Sequence, residues 1–207
     1  MSKVFFSLGM SLDGFIAGPN RGPSNPLGDR GVSVHEWAFR QRSFRQALKL
    51  GDGGDTGQDD RVVEAILKRT GASIMGKRMF DEGEHNWPEE APFHTPVFVL
   101  TKEVRSPWER KGGTTFHFVN DGIASALQRA RDVAGGKDIR IAGGAQVVLQ
   151  YLNAGLVDEF SIALAPVFLG DGLRLFDGVG TRRISVEVVE AIHSSMVTHL
   201  RYAVRNR

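Results

Sequence analysis

The positions of hydrophobic residues predict alternating strands and helices over the first three quarters of the chain. Short apolar runs, typical of buried strands, begin at Val4 and recur through the middle of the sequence. Between two of these runs, Val62, Val63, Ile66 and Leu67 recur at helical spacing. This order predicts a largely parallel sheet with helices on its faces. The first predicted strand is 4–8, with a continuation over 11–17, and the others are 72–75, 96–100, 115–119 and 138–142. The predicted helices lie between 59 and 71, between 121 and 136, and from 145 onward. Asp59 or Asp60 is the expected N-cap of the first helix, and Asp121 that of the second.

The pattern changes after Gly155, where three longer apolar stretches at 157–168, 184–191 and 196–204 follow one another. The turn-forming residues 193–195 between the last two predict an antiparallel hairpin. We therefore expect an α/β fold with three layers, α-β-α. Its central sheet is mixed and mostly parallel, with antiparallel strands at the C-terminal edge. The whole chain, 1–207, is expected to form a single domain.

The segment 18–58 differs from the rest because it is dense in Gly, Pro, Asn and Asp. Its composition and length predict a long loop insertion, either mobile or acting as a lid over a site. A short helix is expected around Trp37.

Composition excludes several classes of function. The net charge is only +2, and no run of Lys and Arg is long enough to follow a nucleic-acid backbone. The absence of cysteine excludes disulfides and thiolate chemistry and suits a reducing cytoplasm, the expected location. No apolar run is long enough for a transmembrane helix, so we expect no membrane partner. The six histidines show no metal-like spacing, so no metal is expected.

The glycine pair Gly143-Gly144 stands where an apolar run ends and a helical pattern begins. Paired glycines let backbone N–H groups approach a ligand, and the helix N-terminus adds positive potential that suits a phosphate or pyrophosphate. The same glycines could serve only a tight turn, because glycine tolerates conformations that other residues avoid.

Two other predicted strands also end in residues suited to a phosphorylated ligand. Gly76-Lys77-Arg78 follows one strand, and Thr101-Lys102 follows another. Ligands of open α/β sheets bind beyond the carboxyl ends of parallel strands, so the three ends together indicate a dinucleotide with a terminal phosphate. The stretch 71–78 nearly matches a P-loop, but Arg78 stands where the loop needs Ser or Thr, so we reject an NTPase.

Five segments of the chain carry a resemblance to a known family: 11–17 (SLDGFIA), 74–80 (IMGKRMF), 97–101 (VFVLT), 141–145 (IAGGA) and 164–172 (LAPVFLGDG). With these segments the chain resembles the dihydrofolate reductase-like superfamily. More narrowly, the chain resembles the reductase-domain family related to the C-terminal half of the bacterial bifunctional riboflavin-biosynthesis deaminase-reductase. The resemblance covers nearly the whole chain.

This resemblance implies an eight-stranded mixed sheet and an NADPH-dependent reductase. The substrate would be a small heterocycle, pteridine- or pyrimidine-like. By analogy, Gly143, Gly144, Ala145 and Gln146 would bind the pyrophosphate. The adenosine ribose and its 2′-phosphate would be held by Lys77, Arg78, Thr101 and Lys102, and the nicotinamide would lie along Ala17 and Gly18. The expected cofactor-binding residues also include Gly76, Met79, Leu100 and Ala142. The expected substrate side comprises Asp13, Phe15, Trp37 and Leu169.

The sequence departs from the family pattern in two places. Met79 replaces the usual Thr, and no flanking motif aligns Asp59, Asp60 or Glu64 with the acidic residue of dihydrofolate reductases. Asp13 is the candidate for orienting or protonating the substrate, although a turn-forming role before Gly14 is equally compatible.

These departures leave a second hypothesis open, in which the domain is an inactive NADP(H)-binding or sensor module on the same scaffold. Trp37 could stack a flat heterocycle or anchor its loop to the core. Under either hypothesis, we expect a homodimer formed through the C-terminal strands.

Overall fold

The computed structural model describes residues 2–180 and 184–206 of the chain. Within these residues, nine strands form one sheet, two short strands form a second, and helices lie on both faces of the larger sheet. The strands are β1 (Val4–Ser11), β2 (Phe15–Ala17), β3 (Thr70–Gly76), β4 (Val97–Leu100), β5 (Trp108–Glu109), β6 (Thr115–Val119), β7 (Asp138–Gly143), β8 (Glu159–Ala165), β9 (Leu173–Arg174), β10 (Ile184–His193) and β11 (Thr198–Asn206). The helices are α1 (Val32–Phe39), α2 (Arg42–Ala47), α3 (Gln58–Arg69), α4 (Lys77–Glu84), α5 (Ile123–Val133) and α6 (Ala145–Asn153).

The strand order in the larger sheet is β10-β11-β8-β1-β7-β3-β4-β6-β5. The six strands from β8 to β6 in this order pair in parallel, whereas β11, β10 and β5 pair antiparallel at the two ends. This arrangement confirms the expected mixed sheet. The two-residue β5 accounts for the ninth strand, which the resemblance did not imply. No helix in the described part of the chain is long and apolar enough to cross a membrane.

One face of the sheet carries a continuous hydrophobic core. Successive side chains of a strand point to opposite faces, so Phe6 on β1, Ile74 on β3 and Ile141 on β7 share this face. Helices α5 and α6 cover it, and the buried Tyr151 hydroxyl donates to the carbonyl of Ile123 at 2.7 Å. Burial of each such large side chain contributes roughly 1.5–3 kcal/mol.

The opposite face carries separate hydrophobic clusters beneath α1, α3 and α4. We call the group of Phe80 and Phe116 the Phe80 cluster and the group of Trp37 and Val63 the Trp37 cluster. The two clusters lie toward opposite ends of the strand order, because Phe116 belongs to β6 and the Trp37 cluster packs on β8. The Phe80 cluster extends to Ala142 of β7, so β1 lies between the two clusters.

The helix starts differ from the predicted ones. Gly57 and Gly122 occupy the N-cap positions of α3 and α5, and neither helix has a side-chain cap. Asp59 and Asp60 therefore lie in the first turn of α3, where their charge still favours the helix dipole. Asp121 accepts hydrogen bonds from side chains of α5 instead of capping it. Helix α4 was not predicted.

The segment 18–58 contains two helices. Helix α1 confirms the short helix expected around Trp37, whereas α2 was not predicted. The first part of the segment, residues 18–31, folds tightly on itself. The Gly18 amide donates to the carbonyl of Leu27 at 2.9 Å, and a Cβ atom at Gly18 would lie 1.8 Å from the Asp29 carbonyl oxygen. Only glycine permits this approach, so the glycine-rich composition of the segment serves close backbone packing.

The C-terminal hairpin is confirmed, since β10 and β11 pair antiparallel and the Ser194 amide bonds to the Val197 carbonyl at 3.0 Å. Strand β8 is shorter than predicted, and ends at Ala165. The next residue, Pro166, has no N–H group to continue the ladder.

Candidate active site

Two strand-to-helix turns lie side by side at the carboxyl edge of the sheet, β3 to α4 at Gly76 and β7 to α6 at Gly143 and Gly144. A Cβ atom at Gly76 would lie 3.7 Å from the Gly144 amide nitrogen. Gly143 has φ +139° and forms a cis peptide bond with Gly144. A Cβ atom at Gly143 would lie 2.9 Å from the Met79 sulfur, whereas one at Gly144 would meet nothing within 4 Å. The Gly144 side of the turn therefore faces open space.

Neither α4 nor α6 has a side-chain N-cap. Their first amides have no partner within the helix, so both N-termini present donors and positive potential at this edge. Ala142 and Ala145 are buried beside the turn, and Gln146 is exposed. The Gln146 side chain lines a cavity of about 660 Å³ on the outer side of α6.

The basic residues at the start of α4 are already paired with carboxylates. Lys77 Nζ donates to Asp81 at 2.6 Å and lies 3.3 Å from Glu103. The hydrogen bond to Asp81 raises the pKa of Lys77 above its ordinary value. Arg78 Nε donates to Glu82 at 3.1 Å, although most of the Arg78 side chain is exposed. Any phosphate bound here would have to displace these partners.

The end of β4 lies next to the same turns, since Leu100 is in register with Gly76. Thr101 Oγ1 accepts a hydrogen bond from the Glu103 amide at 3.0 Å. Lys102 is exposed and has no ion pair among the residues that the structure describes. The structure thus brings together the strand ends at Gly76, Leu100 and Gly143, in the arrangement that the sequence predicted.

Asp13 joins the β1–β2 turn to a distant loop. Its carboxylate accepts hydrogen bonds from Ser11 Oγ at 2.6 Å and from the amides of Leu169 at 3.1 Å and Gly170 at 2.7 Å. The Ser11 bond and these amides lower the pKa of Asp13 to about 2. An acid held ionised by three hydrogen bonds is poorly suited to donate a proton at neutral pH. The geometry favours the turn-forming role over the catalytic one.

The predicted substrate residues divide between two places. Phe15 and Leu169 pack together with Val34 in one buried cluster. Ala17 and Gly18 lie beside this cluster at the mouth of the 18–31 segment, where both are buried.

Trp37 lies apart from them in the Trp37 cluster, where its ring meets His199 edge-on at a centroid distance of 4.9 Å. Its Nε1 atom is buried without a hydrogen-bond partner among the described residues. These contacts favour an anchoring role for Trp37 over stacking on a ligand.

A buried polar cluster below Trp37 was missed from the sequence. His199 Nε2 lies 2.9 Å from Asp59 Oδ1, and Ser194 Oγ donates to Asp59 Oδ2 at 2.9 Å. Asp59 was considered as the equivalent of the acidic residue of dihydrofolate reductases, but it faces β11 and the hairpin turn. Of the other two acidic residues considered, Asp60 accepts the Ser43 amide at 2.7 Å, and Glu64 pairs with Lys68 at 2.7 Å on the surface.

The sheet surface between the Phe80 and Trp37 clusters carries polar side chains beside Phe5, whose ring lies 4.0 Å from the Arg69 guanidinium. Ser7 on β1, Ser73 on β3, Arg140 on β7 and Ser161 on β8 lie on this face, and we call these four residues the polar strip. The sequence contained a signal for it, since Arg140 is the charged residue inside the apolar run 139–142. Ser7, Arg140 and Ser161 are partly accessible, so this surface between the two clusters is open from outside, and we call it the cleft.

The 18–31 segment is fastened to α4 across the carboxyl edge of the sheet. Arg21 forms an ion pair with the buried Glu82, and Asn86 Nδ2 donates to the carbonyl of Pro23 at 2.8 Å. The side chains of Arg21 and Glu82 are only 12% and 6% exposed. The segment is therefore tied to α4 and to the residues that follow this helix.

Comparison with known proteins identifies the family. Residues 2–200 match the RibD C-terminal domain. The chain belongs to the RibD C-terminal domain family. This result confirms the resemblance deduced from the sequence segments. The chain is also 38% identical over 193 residues to the uncharacterised Bacillus subtilis protein YyaP, a match that covers 90% of this chain and 86% of YyaP.

Solved structures of related fold support the architecture of this RibD C-terminal domain. A putative riboflavin biosynthesis protein from a Shewanella species superposes with a TM-score of 0.66 at 21% identity, over 100% of both chains. A dihydrofolate reductase from Enterococcus faecalis, solved in complex with NADP(H), gives 0.55 at 10% identity, over 99% of this chain and 97% of that one. A deaminase/reductase from Thermotoga maritima gives 0.56 at 16% identity, over 98% of this chain and 56% of that one. The fold is therefore dihydrofolate reductase-like.

Proposed function

We propose that this protein is an NADPH-dependent reductase that transfers hydride to a small heterocyclic substrate, pteridine- or pyrimidine-like. One observation carries the proposal. The turns at Gly76 and Gly143-Gly144 adjoin, begin two helices without side-chain caps, and face open space at Gly144. In a member of the RibD C-terminal domain family, this arrangement is suited to a dinucleotide pyrophosphate.

The proposed cofactor site uses mainly backbone groups. The amides of Gly144, Ala145 and Gln146 would hold the pyrophosphate at the N-terminus of α6. Gly143 is required because its φ of +139° is unfavourable for other residues, and because a side chain would collide with Met79.

The basic residues of α4 would bind the 2′-phosphate of the cofactor. Lys77 is held by an i,i+4 pair with Asp81, and surface pairs of this kind contribute only about 0.3–0.5 kcal/mol. Arg78 is mostly exposed, and its buried partner Glu82 keeps an ion pair with Arg21 when Arg78 turns to another ligand. A phosphate carries more charge and accepts a bidentate contact from a guanidinium, so it would replace these partners at little energetic cost.

NADPH would supply the hydride, and the protein would supply position and exclusion of water. The 18–31 segment, fastened by Arg21 to Glu82, would close one side of the cleft. The buried cluster of Phe15 and Leu169 would support the segment from below.

A calorimetric titration with NADPH tests the first part of the proposal, and a screen of pterins, pyrimidines and dicarbonyls monitored by NADPH absorbance tests the second. We expect binding in the micromolar range and oxidation of NADPH with at least one compound. Failure of NADPH to bind at millimolar concentration would exclude the function.

The variant Arg78→Ala tests discrimination between cofactors. Removal of a charge-assisted contact to the 2′-phosphate should weaken NADPH about 10-fold or more and leave NADH nearly unchanged. Arg129→Ala is the matched control, because Arg129 is an exposed arginine on α5 that is likewise paired with a carboxylate. Equal losses for NADPH and NADH would show that Arg78 does not contact the 2′-phosphate.

A second candidate function is an inactive NADP(H)-binding or sensor module. It is favoured by the bonding of Asp13, whose carboxylate is fully engaged in the turn, and by Met79, whose sulfur lies against Gly143. The same NADPH-oxidation screen separates the two functions. Acceleration by any compound of the panel excludes the inactive module.

We further propose a homodimer through the C-terminal strands. Strand β10 forms an edge of the sheet, and Val186, Val188 and Val189 on it are 48%, 69% and 47% exposed. Exposed apolar residues on an edge strand favour pairing with another chain. Light scattering should give twice the chain mass, and Val188→Asp should lower it. A monomeric mass for the wild type would exclude the dimer.

The cytoplasmic location stays a prediction, which cell fractionation would test.

A further inference from the structure

Arg140 lies inside a buried strand without a partner for its charge. Its neighbours Ile139 and Ile141 enter the core under α5 and α6, so the Arg140 side chain lies on the opposite face, in the polar strip. The Nε atom is buried and has no hydrogen-bond partner. Within residues 2–180 and 184–206, the guanidinium makes no hydrogen bond and no ion pair.

The acidic residues nearest to Arg140 in the sheet, Asp138 and Glu159, already form ion pairs with other basic residues. Arg69 lies 2.7 Å from both Asp138 and Glu159, and Lys3 lies 2.6 Å from Glu159. Asp138 is two positions before Arg140 on β7, and Glu159 is separated from it by one residue of β1. Burial alone lowers the pKa of Arg140 to about 10, so the group is charged at neutral pH.

A charged guanidinium in such surroundings is unfavourable unless it is paired. The fold supplies no counter-charge, although Arg69 on the same face shows that it can hold two carboxylates around one arginine. The missing partner is therefore expected to come from outside the chain. The planar guanidinium is matched in shape to a carboxylate or a phosphate, with two parallel hydrogen bonds.

Other groups in the polar strip are also free to bind a ligand. Ser7 and Ser161 lie directly opposite each other on β1 and β8, and both are partly accessible. In the described part of the chain, neither hydroxyl has a hydrogen-bond partner. Arg140 is three residues before Gly143 on the same strand, so its Cα lies about 10 Å from the proposed cofactor turn.

We propose that Arg140 binds an anionic group, a carboxylate or a phosphate monoester, on the molecule that occupies this cleft, with Ser7 and Ser161 as additional hydrogen-bonding groups. If the cleft holds the substrate of the proposed reductase, then that substrate is an anionic heterocycle, and this step rests on the proposed function. Arg140 is a specificity-determining residue in this proposal, since it would contact the ligand without reacting.

Matched pairs of charged and neutral pyrimidines and pterins test the proposal by calorimetric titration. The pairs are orotate with uracil, uridine 5′-monophosphate with uridine, and pterin-6-carboxylate with pterin. They are titrated into the protein with and without saturating NADPH. We expect at least one anion to bind 10-fold or more tighter than its neutral partner. The pair that shows the preference distinguishes a carboxylate from a phosphate.

The variant Arg140→Met should abolish this preference, with a loss of about 10- to 100-fold in affinity for the anion and little change for the neutral compound. Arg129→Met is the control for loss of an exposed arginine. Urea unfolding without ligand shows whether the charge is structural: Arg140→Met should be as stable as the wild type or more stable, because an unpaired buried charge is removed.

Three results would overturn the proposal: no charge preference in any pair, a preference that survives in Arg140→Met, or a marked loss of stability in that variant without ligand. If Arg140→Met folds poorly, Arg140→Lys is used in its place. It should keep a reduced preference for the anion because the positive charge remains. NADPH binding is measured separately. If NADPH does not bind but the charge preference is present, the reductase is rejected and Arg140 remains an anion site. If NADPH binds but no charge preference is present, the anion site is rejected and the proposed reductase remains.

Discussion

The two faces of the central sheet are built on different principles. Under α5 and α6, the side chains of β1, β3, β7 and β8 form one uninterrupted hydrophobic core. On the other face, the same four strands carry Ser7, Ser73, Arg140 and Ser161 between two separate clusters. The backbone is common to both faces, so the difference arises only from the alternation of side chains.

This contrast locates function more clearly than any single motif. A continuous apolar face needs only volume and close packing, and it tolerates no unpaired polar group. A face with unpaired polar atoms, such as Arg140 Nε, gives up stability that a bound ligand can restore. The cleft face also adjoins the turns at Gly76 and Gly143, so a ligand on the polar strip would lie near the proposed cofactor.

The largest loss of stability is expected from a substitution in the hydrophobic core under α5 and α6. Phe6 is fully buried and stacks on Phe160 at 4.8 Å between ring centroids. Phe6→Ala should lower the free energy of unfolding by about 3–5 kcal/mol. Ser7→Ala, at the next position on the cleft face, should change it by less than about 0.5 kcal/mol. Urea unfolding of both variants measures the contrast, and similar losses would show that the two faces do not differ in this way.

A smaller loss is expected where the cleft face depends on buried polar contacts. Asp59→Ala removes the hydrogen-bond partner of His199 and leaves that buried ring nitrogen unsatisfied, whereas the Ser194 hydroxyl can still donate to the Val197 carbonyl. We expect a loss of about 2–3 kcal/mol in urea unfolding. Glu64→Ala on the same helix is the control, because its pair with Lys68 is exposed and should contribute at most about 0.5 kcal/mol. An Asp59 variant as stable as the Glu64 variant would argue against a structural role for the cluster.

Most of the fold follows from local signals in the sequence. The apolar runs at 115–119 and 138–142 became β6 and β7 almost unchanged, and the hairpin turn at 193–195 was recognised from its residues. The segment 18–31 was harder because its glycines serve contacts between backbone atoms, such as that between Gly18 and Asp29, that leave no periodic signal. Helix α4 was missed because it is short and carries five charged residues among its eight.

The candidate site was predictable only in its backbone parts. The strand ends at Gly76, Leu100 and Gly143 could be placed together because parallel strands finish at one edge. The roles of individual side chains depend on partners that are distant in sequence. Asp13 is bonded to residues 156 and 157 positions away, and whether Arg140 is paired depends on where Arg69 directs its guanidinium. Sequence patterns carry no information on such pairings.

The smallest expected change in stability concerns the loop at Leu169 and Gly170 that is bonded to Asp13, and this change depends on pH. The folded protein lowers the pKa of Asp13 from 3.8 to about 2, so the ionised form is favoured in the folded state. Its contribution to stability is therefore complete above about pH 4 and is lost as the pH falls toward 2. Asp13→Asn should be less stable than the wild type at pH 7, and the difference should shrink between pH 4 and 2. Urea midpoints at pH 7, 4 and 3 measure this change, with Asp52→Asn in the exposed segment before α3 as the control. A difference that stays constant with pH would mean that the Asp13 carboxylate acts through shape alone, and the loop would then be held by its backbone contacts in the same way as residues 18–31.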